Sequence, residues 1–375
     1  MRYQLYGQTG KKVSRLGFGG MRFDLRRGRE HNAALVHEAF RRGINYFDTA
    51  PDYCDGESEA LFGEAFRTLK GEFFVSTKSM PADAPTADLA RRAVEASLKK
   101  LGVGKIHFFH IWCIRHMDHY RLAMQKGGQY EGLLKCKAEG LIDHIVLSSH
   151  QPGHEIRQIA EEGRVEGILM GLNILNFPYR WEGATAAARC GLGVVTMNPL
   201  GGGLIPQNED KLGFLAQAGE TPTEAALRFN LSSPPVTVSL VGFSSVAEID
   251  AACRIADAAR PFATADLQHL RESLSANMNQ ACTCCGYCEK CPHDIPVSRY
   301  MQFYNRKAVF GGDAATMAAE LDEAYEWGIL VGHRGDAARC VACGVCEEAC
   351  TQRLAIMARL KDISSWERVD KPDEM

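Results

Sequence analysis

The chain has 375 residues, of which 46% are apolar, 24% charged and 9% aromatic, and its net charge is −3. Those fractions are ordinary for a globular protein, which excludes disordered and fibrous classes, and no basic excess is available for a phosphate backbone. No apolar run approaches the roughly 20 residues that cross a bilayer, and the sequence opens without an apolar leader. The expectation is a cytoplasmic protein with neither a nucleic-acid nor a membrane partner. Cysteine is the informative residue type: Cys54, Cys113, Cys136, Cys190 and Cys253 are scattered, whereas nine of the 14 crowd into the last 94 residues. Clustered cysteines in a chain of this length read as metal or redox chemistry and not as a disulfide scaffold.

In chain order, residues 1–5 and 11–14 read as a hairpin around Gly7-Gln8-Thr9-Gly10. Strand patterns follow at 15–19, 45–48, 73–77, 106–110, 144–148, 167–172, 193–197 and 236–241. Amphipathic helix patterns lie between them, for example at 32–42, 86–101 and 221–231. The last opens Thr221-Pro222-Thr223-Glu224, a capping residue, a proline in the first turn and an acidic side chain after it. Residues 111–129 read as a long loop. Regular β-α alternation implies parallel strands with right-handed crossovers, and eight units in about 250 residues is the arithmetic of a (β/α)8 TIM barrel. A doubly wound sheet would want a glycine fingerprint followed directly by a helix, and Gly17-Phe18-Gly19-Gly20 lacks that spacing. The fold expected is α/β: a barrel over residues 1–265 and a helical domain over 266–375, with helices at 266–277, 297–303 and 314–327.

Chemistry in such barrels sits at the C-terminal ends of the strands. Those ends carry Asp48, Lys78 and His110, and Tyr53 follows five residues after Asp48. A phenol is a weak acid near pH 7. A neighbouring ammonium stabilises its phenolate and lowers its pKa, a carboxylate keeps that ammonium charged, and a histidine can orient a carbonyl. Singly, a strand-end Asp more often caps a helix and a strand-end His more often bonds a loop. Together, the four suit proton donation to a carbonyl oxygen as hydride reaches its carbon.

These residues sit in stretches that resemble the aldo-keto reductase family: Gly17-Phe18-Gly19-Gly20, Gly43-Ile44-Asn45-Tyr46-Phe47-Asp48-Thr49-Ala50-Pro51-Asp52-Tyr53, Gly56-Glu57-Ser58-Glu59 with Gly63, and Ser76-Thr77-Lys78. The strand ending at His110, Pro199-Leu200-Gly201-Gly202-Gly203 and Val241-Gly242-Phe243-Ser244 extend the resemblance over roughly residues 1–262. It implies a catalytic tetrad of Asp48, Tyr53, Lys78 and His110, with Tyr53 as general acid, Lys78 and Asp48 tuning it, and His110 orienting a small carbonyl or alcohol substrate. It also implies a nicotinamide dinucleotide along Gly19, Gly20, Met21, Asp48, Ser148, Ser149, Met197, Pro199, Leu200, Gly202, Gly242, Ser244 and Ser245. No lysine or arginine stands among Ser244-Ser245-Val246-Ala247-Glu248 to pair with a 2′-phosphate, so the cofactor is NADPH or NADH.

Two motifs dominate the tail. In Cys282-Thr283-Cys284-Cys285-Gly286-Tyr287-Cys288-Glu289-Lys290-Cys291, thiols recur every third residue from Cys282, with Cys284 as an extra. In Cys340-Val341-Ala342-Cys343-Gly344-Val345-Cys346-Glu347-Glu348-Ala349-Cys350 the spacing is that of bacterial [4Fe-4S] ferredoxins. Four-thiolate zinc sites instead use two separated cysteine pairs. The metal ligands expected for two [4Fe-4S] clusters are Cys282, Cys285, Cys288, Cys291, Cys340, Cys343, Cys346 and Cys350. By analogy with two-cluster ferredoxins, Cys350 joins the first trio and Cys291 the second. The helical stretch between the motifs resembles α-helical ferredoxin modules, and the whole is similar to the aldo-keto reductase subgroup with a C-terminal iron-sulfur domain. An alternative reading is an electron-transfer protein whose clusters serve a redox partner protein.

Overall fold

The computed structural model describes residues 1–277, 280–282, 288–350 and 353–367. The chain divides into two compact units, one made of Met1–Ile174, Arg180–Glu209 and Ala216–Ala263, the other of Leu175–Tyr179, Asp210–Leu215 and Thr264–Met375.

The first unit opens with strands β1 (Tyr3–Leu5) and β2 (Lys12–Ser14), paired antiparallel. Eight strands then close a parallel barrel: β3 (Leu16–Gly19), β4 (Tyr46–Asp48), β5 (Phe74–Ser79), β6 (Ile106–Ile114), β7 (Ile142–Ser149), β8 (Gly167–Gly171), β9 (Gly193–Met197) and β10 (Val238–Val241), with β10 returning to pair with β3. All eight fall where the alternation of the sequence puts them, because each is a short β-branched or aromatic run buried on both faces. Helices α1 (Gly28–Arg41), α2 (Ser58–Phe66), α3 (Ala87–Leu101), α4 (Met117–Met124), α5 (Gln129–Ala138), α6 (Gly153–Glu161), α7 (Phe177–Arg189), α8 (Pro222–Ser232) and α9 (Val246–Ala258) make the crossovers.

Capping fixes several helix starts. Thr86 accepts from Leu89 N–H at α3, and Thr221 with Glu224 forms a reciprocal capping box at α8. The barrel interior is filled from its N-terminal end by Tyr6, Val13, Tyr46, Phe74, Phe108, Val146, Leu169, Val195 and Val238. Tyr6 lies so close to β8 and β9 that a Cβ at Gly167 or Gly193 would overlap its ring. That packing closes one end of the barrel and leaves the polar strand ends at the other.

The stretch 111–129 is not a loop. β6 runs on to Ile114 with a register shift between Ile111 and Ile114, and α4 follows at Met117. The left-handed φ of +59° at Cys113 marks the irregularity, which hides the strand from an alternation test.

In the second unit, α10 (Thr264–Asn277), α11 (Val297–Asn305), α12 (Ala314–Trp327), α13 (Val345–Glu348) and α14 (Ile356–Trp366) are the described helices. α11 widens into a π-helical turn over Arg306–Phe310. Asp313 caps α12 by accepting from Thr316 N–H. Tyr300, Met301, Phe303, Met317, Leu321, Leu360, Ile363 and Trp366 form this unit's core. Among the described residues, no helix is long and apolar enough to cross a membrane.

Candidate active site

Asp48 ends β4, Lys78 lies next to the end of β5, and His110 lies in β6; the register aligns Asp48 with Ser76 and Lys78 with His110. Neighbouring parallel strands therefore carry the three side chains to one rim. Asp48 and Lys78 are 3% and 1% exposed and His110 is fully buried, so their interactions act in a poorly screened medium. Lys78 Nζ donates to Asp48 Oδ2 at 2.6 Å. His110 Nε2 lies 3.8 Å from Asp48 Oδ1. Tyr53, in the loop after β4, presents its ring face to Lys78, whose Nζ is 5.1 Å from the ring centre. The sequence-predicted tetrad is thus assembled as a group.

Ser76 is a residue the sequence reasoning missed. Its hydroxyl donates to Asp48 Oδ1 and lies 3.3 Å from His110 Nε2, tying the carboxylate to the imidazole. The signal was present: Ser76 is two residues before Lys78 on a strand, so both face inward. Thr77 between them faces the other way and donates to buried Glu59 at 2.7 Å. Trp112 packs edge-on against Tyr53 with ring centres 5.8 Å apart, alongside Ala50, Cys113 and Met80. Nothing in the periodicity marks Trp112, because the β6 irregularity sets its direction.

The electrostatics differ in one respect from the sequence reading. The Tyr53 phenol is held well above its ordinary value, not below it: burial is the main cause, and the Asp48 charge adds to it. Burial pushes the Lys78 ammonium down while the Asp48 carboxylate pulls it back up. His110 is driven well below its usual range by burial, with the Lys78 charge adding to the effect, and is neutral at physiological pH. The group therefore consists of a protonated phenol, an ion pair and a neutral imidazole.

The residues expected along a dinucleotide line the same end of the barrel. Gly19 ends β3 directly beside Asp48 in register. Gly20 is buried and Met21 exposed. Ser148 and Ser149 end β7 and are buried, with Ser149 Oγ donating to Ile114 O at 3.3 Å. Met197 ends β9, in register with Gly171, and Pro199 and Leu200 follow it. Gly201, Gly202 and Gly203 have φ of +65°, +71° and +106°, a run of left-handed residues that only glycine adopts readily. Gly242 follows β10 with the Arg22 side chain packed against it, Ser245 caps α9, and the exposed Ser244 donates its N–H to Glu248 Oε2 at 2.7 Å. Arg180, on α7, was also missed. It is 3% exposed, abuts Gly171 and donates to His150 O at 2.9 Å. With Arg115 it adds to the burial that holds the His150 imidazole down at about 3.

In the second unit, Cys288 and Cys346 are buried in the core, and Cys282, Cys291, Cys340 and Cys350 border it. Cys343 is exposed. Cys284 and Cys285 lie outside the described residues. All the described cysteines are free thiols. Among the described residues no group of three or more His, Cys, Asp or Glu side chains is placed to hold a metal ion.

The model of the aldo/keto reductase family matches residues 15–274. L-galactose dehydrogenase of Arabidopsis thaliana is 25% identical over 283 residues, 65% of this chain and 84% of that one. An aldo-keto reductase of Bacillus halodurans in its holo form superposes with a TM-score of 0.63 at 23% identity, covering 73% of this chain and 96% of that one. An aldo-keto reductase of Klebsiella pneumoniae in complex with NADPH superposes with a TM-score of 0.60 at 19% identity, covering 72% and 95%.

Proposed function

Because the chain belongs to the aldo/keto reductase family, we propose that it interconverts a small carbonyl compound and its alcohol, using NADPH or NADH bound across the barrel rim. The observation that carries this reading is the buried Lys78–Asp48 ion pair, at 2.6 Å, beside the Tyr53 ring and the neutral His110. A nicotinamide supplies the hydride when bound. The chain's own residues manage the proton and the geometry.

Tyr53 holds its proton at neutral pH and releases it from Oη to the carbonyl oxygen as negative charge develops there. The phenolate left behind is stabilised by the Lys78 ammonium, whose charge Asp48 favours against the burial that lowers its pKa. His110, fixed through Ser76, has the neutral imidazole needed to bond a carbonyl oxygen and set its angle. Burial on the rim excludes water and strengthens each of these interactions. The tandem left-handed glycines after β9 suit the cradling of a pyrophosphate by backbone amides.

The second unit is read as a helical ferredoxin-like domain carrying two [4Fe-4S] clusters. Its support is the cysteine spacing, together with six free thiols, two within one apolar core and four bordering it. Thiol donors match such a group in donor type, while among the described residues no three of them are gathered to hold a metal ion. Cys282, Cys285, Cys288, Cys291, Cys340, Cys343, Cys346 and Cys350 would hold the clusters, which pass electrons singly.

Tyr53→Phe should lower carbonyl reduction at least about 100-fold, the scale of general-acid catalysis, while nucleotide binding followed by fluorescence persists. Undiminished turnover would remove Tyr53 from the mechanism. Anaerobic titration with NADPH and then NADH, watching the visible absorbance, tests whether hydride chemistry and the clusters communicate.

A further inference from the structure

NADPH differs from NADH only by a phosphate on the adenosine 2′-hydroxyl, so the charges that meet that position decide which of the two binds. The turn from β10 into α9 carries donors of the kind that attract a phosphate. Ser245 is the capping residue of α9 and the exposed Ser244 precedes it, and N–H groups and hydroxyls at a helix start favour an anion. Here the chain supplies the anion itself. Ser244 N–H donates to Glu248 Oε2 at 2.7 Å, and Ser244 Oγ lies 3.0 Å from Glu248 Oε1 and 3.2 Å from Oε2. Glu248 N–H in turn donates to Ser245 Oγ at 3.3 Å. Backbone and side chain of Glu248 are both tied to the turn.

The arginine that packs on this turn is directed elsewhere. Arg22, from the segment after β3, lays its Cβ and Cγ against Gly242. Its Nη2 donates to Gly202 O at 3.5 Å, within the run of left-handed glycines after β9. Its charge therefore stands beside the backbone suited to a pyrophosphate, a group that both nucleotides carry. Two further arginines of the same segment are committed to acids, Arg26 to Asp24 and Arg29 to Glu57.

We infer that Glu248 is a specificity-determining residue that makes the chain select NADH over NADPH: its carboxylate occupies the donors that a 2′-phosphate would need at the start of α9, and repels that phosphate. This rests on the reading that a nicotinamide dinucleotide lies along the β10–α9 turn. Glu248 Oε1 takes only one of the three bonds from Ser244, which leaves it a lone pair for an unmodified ribose hydroxyl. A dianionic phosphate gains no such bond and meets a like charge.

The test is fluorescence titration of the full chain with NADH and with NADPH, giving two dissociation constants whose ratio is insensitive to a general loss of stability. NADH should bind the wild type at least about tenfold more tightly. Glu248→Gln keeps an acceptor for Ser244 and removes the charge; it should bring the two constants within about threefold of each other, chiefly by tightening NADPH. Glu248→Lys should reverse the order. Arg22→Met should weaken both nucleotides by the same factor. Equal affinities in the wild type, or tighter binding of NADPH, overturn the inference. So does a preference for NADH that survives both Glu248 variants, or a loss confined to NADPH in Arg22→Met. In each of those cases a nucleotide still binds and the reductase reading stands. A wild-type chain that binds neither nucleotide overturns both this inference and the reading beneath it.

Discussion

Tyr53 shows how burial and charge compete at a single atom. Read from the sequence, Lys78 should lower its pKa, but in the folded chain burial and Asp48 together outweigh that effect. A general acid must be protonated to act, so a phenol held above 10 stays competent throughout the neutral range and loses its proton only in strong alkali. His110, held well below its usual value, undergoes no charge change near pH 6.5. The expected kcat/KM profile for carbonyl reduction is therefore flat from about pH 7 to about pH 9. An inflection near 6.5, or a fall beginning below 9, would reassign one of these two groups. The tetrad was legible because each member lies at or just after a recognisable strand end, and Trp112 was legible only as part of the 111–129 segment, whereas Ser76 and Arg180 were not. Ser76 needed only the inward-facing rule, but Trp112 depends on a strand irregularity and Arg180 on the path of a distant helix.

At the scale of elements, local chemistry sets most boundaries. α8 begins where Thr221 and Glu224 exchange side-chain and backbone hydrogen bonds, with Pro222 in the first turn. Thr221→Ala should cost about 1 kcal/mol of stability, read as a lower denaturant midpoint at unchanged slope; a midpoint equal to the wild type's would show that packing alone sets this boundary. β6 is the counterexample, since the left-handed Cys113 lets the strand continue past His110 while breaking its alternation. Residues 111–114 looked like loop because a bulge redirects side chains without ending the strand.

For the molecule as a whole, the two compact units differ in what stabilises them. The barrel has a continuous apolar interior from Tyr6 to Leu240 and needs no metal to account for it. The second unit has a smaller core edged by free thiols, and metal-thiolate bonds contribute directly to folding in such units. On the proposed cluster reading, removing iron with a chelator under air should lower the thermal stability of the helical unit and leave the barrel transition in place. A single transition that does not respond to iron removal would show that the helices fold independently of the clusters.

The sequence by itself determined the eight-unit alternation, the residues at the strand ends and the cysteine spacing, because each is a local pattern written in residue type and interval. Only the tertiary structure decided how those groups behave. The protonation of Tyr53 and His110 and the link through Ser76 all depend on burial and on neighbours remote in sequence. Desolvation is a property of the folded surroundings and leaves no periodicity in the chain.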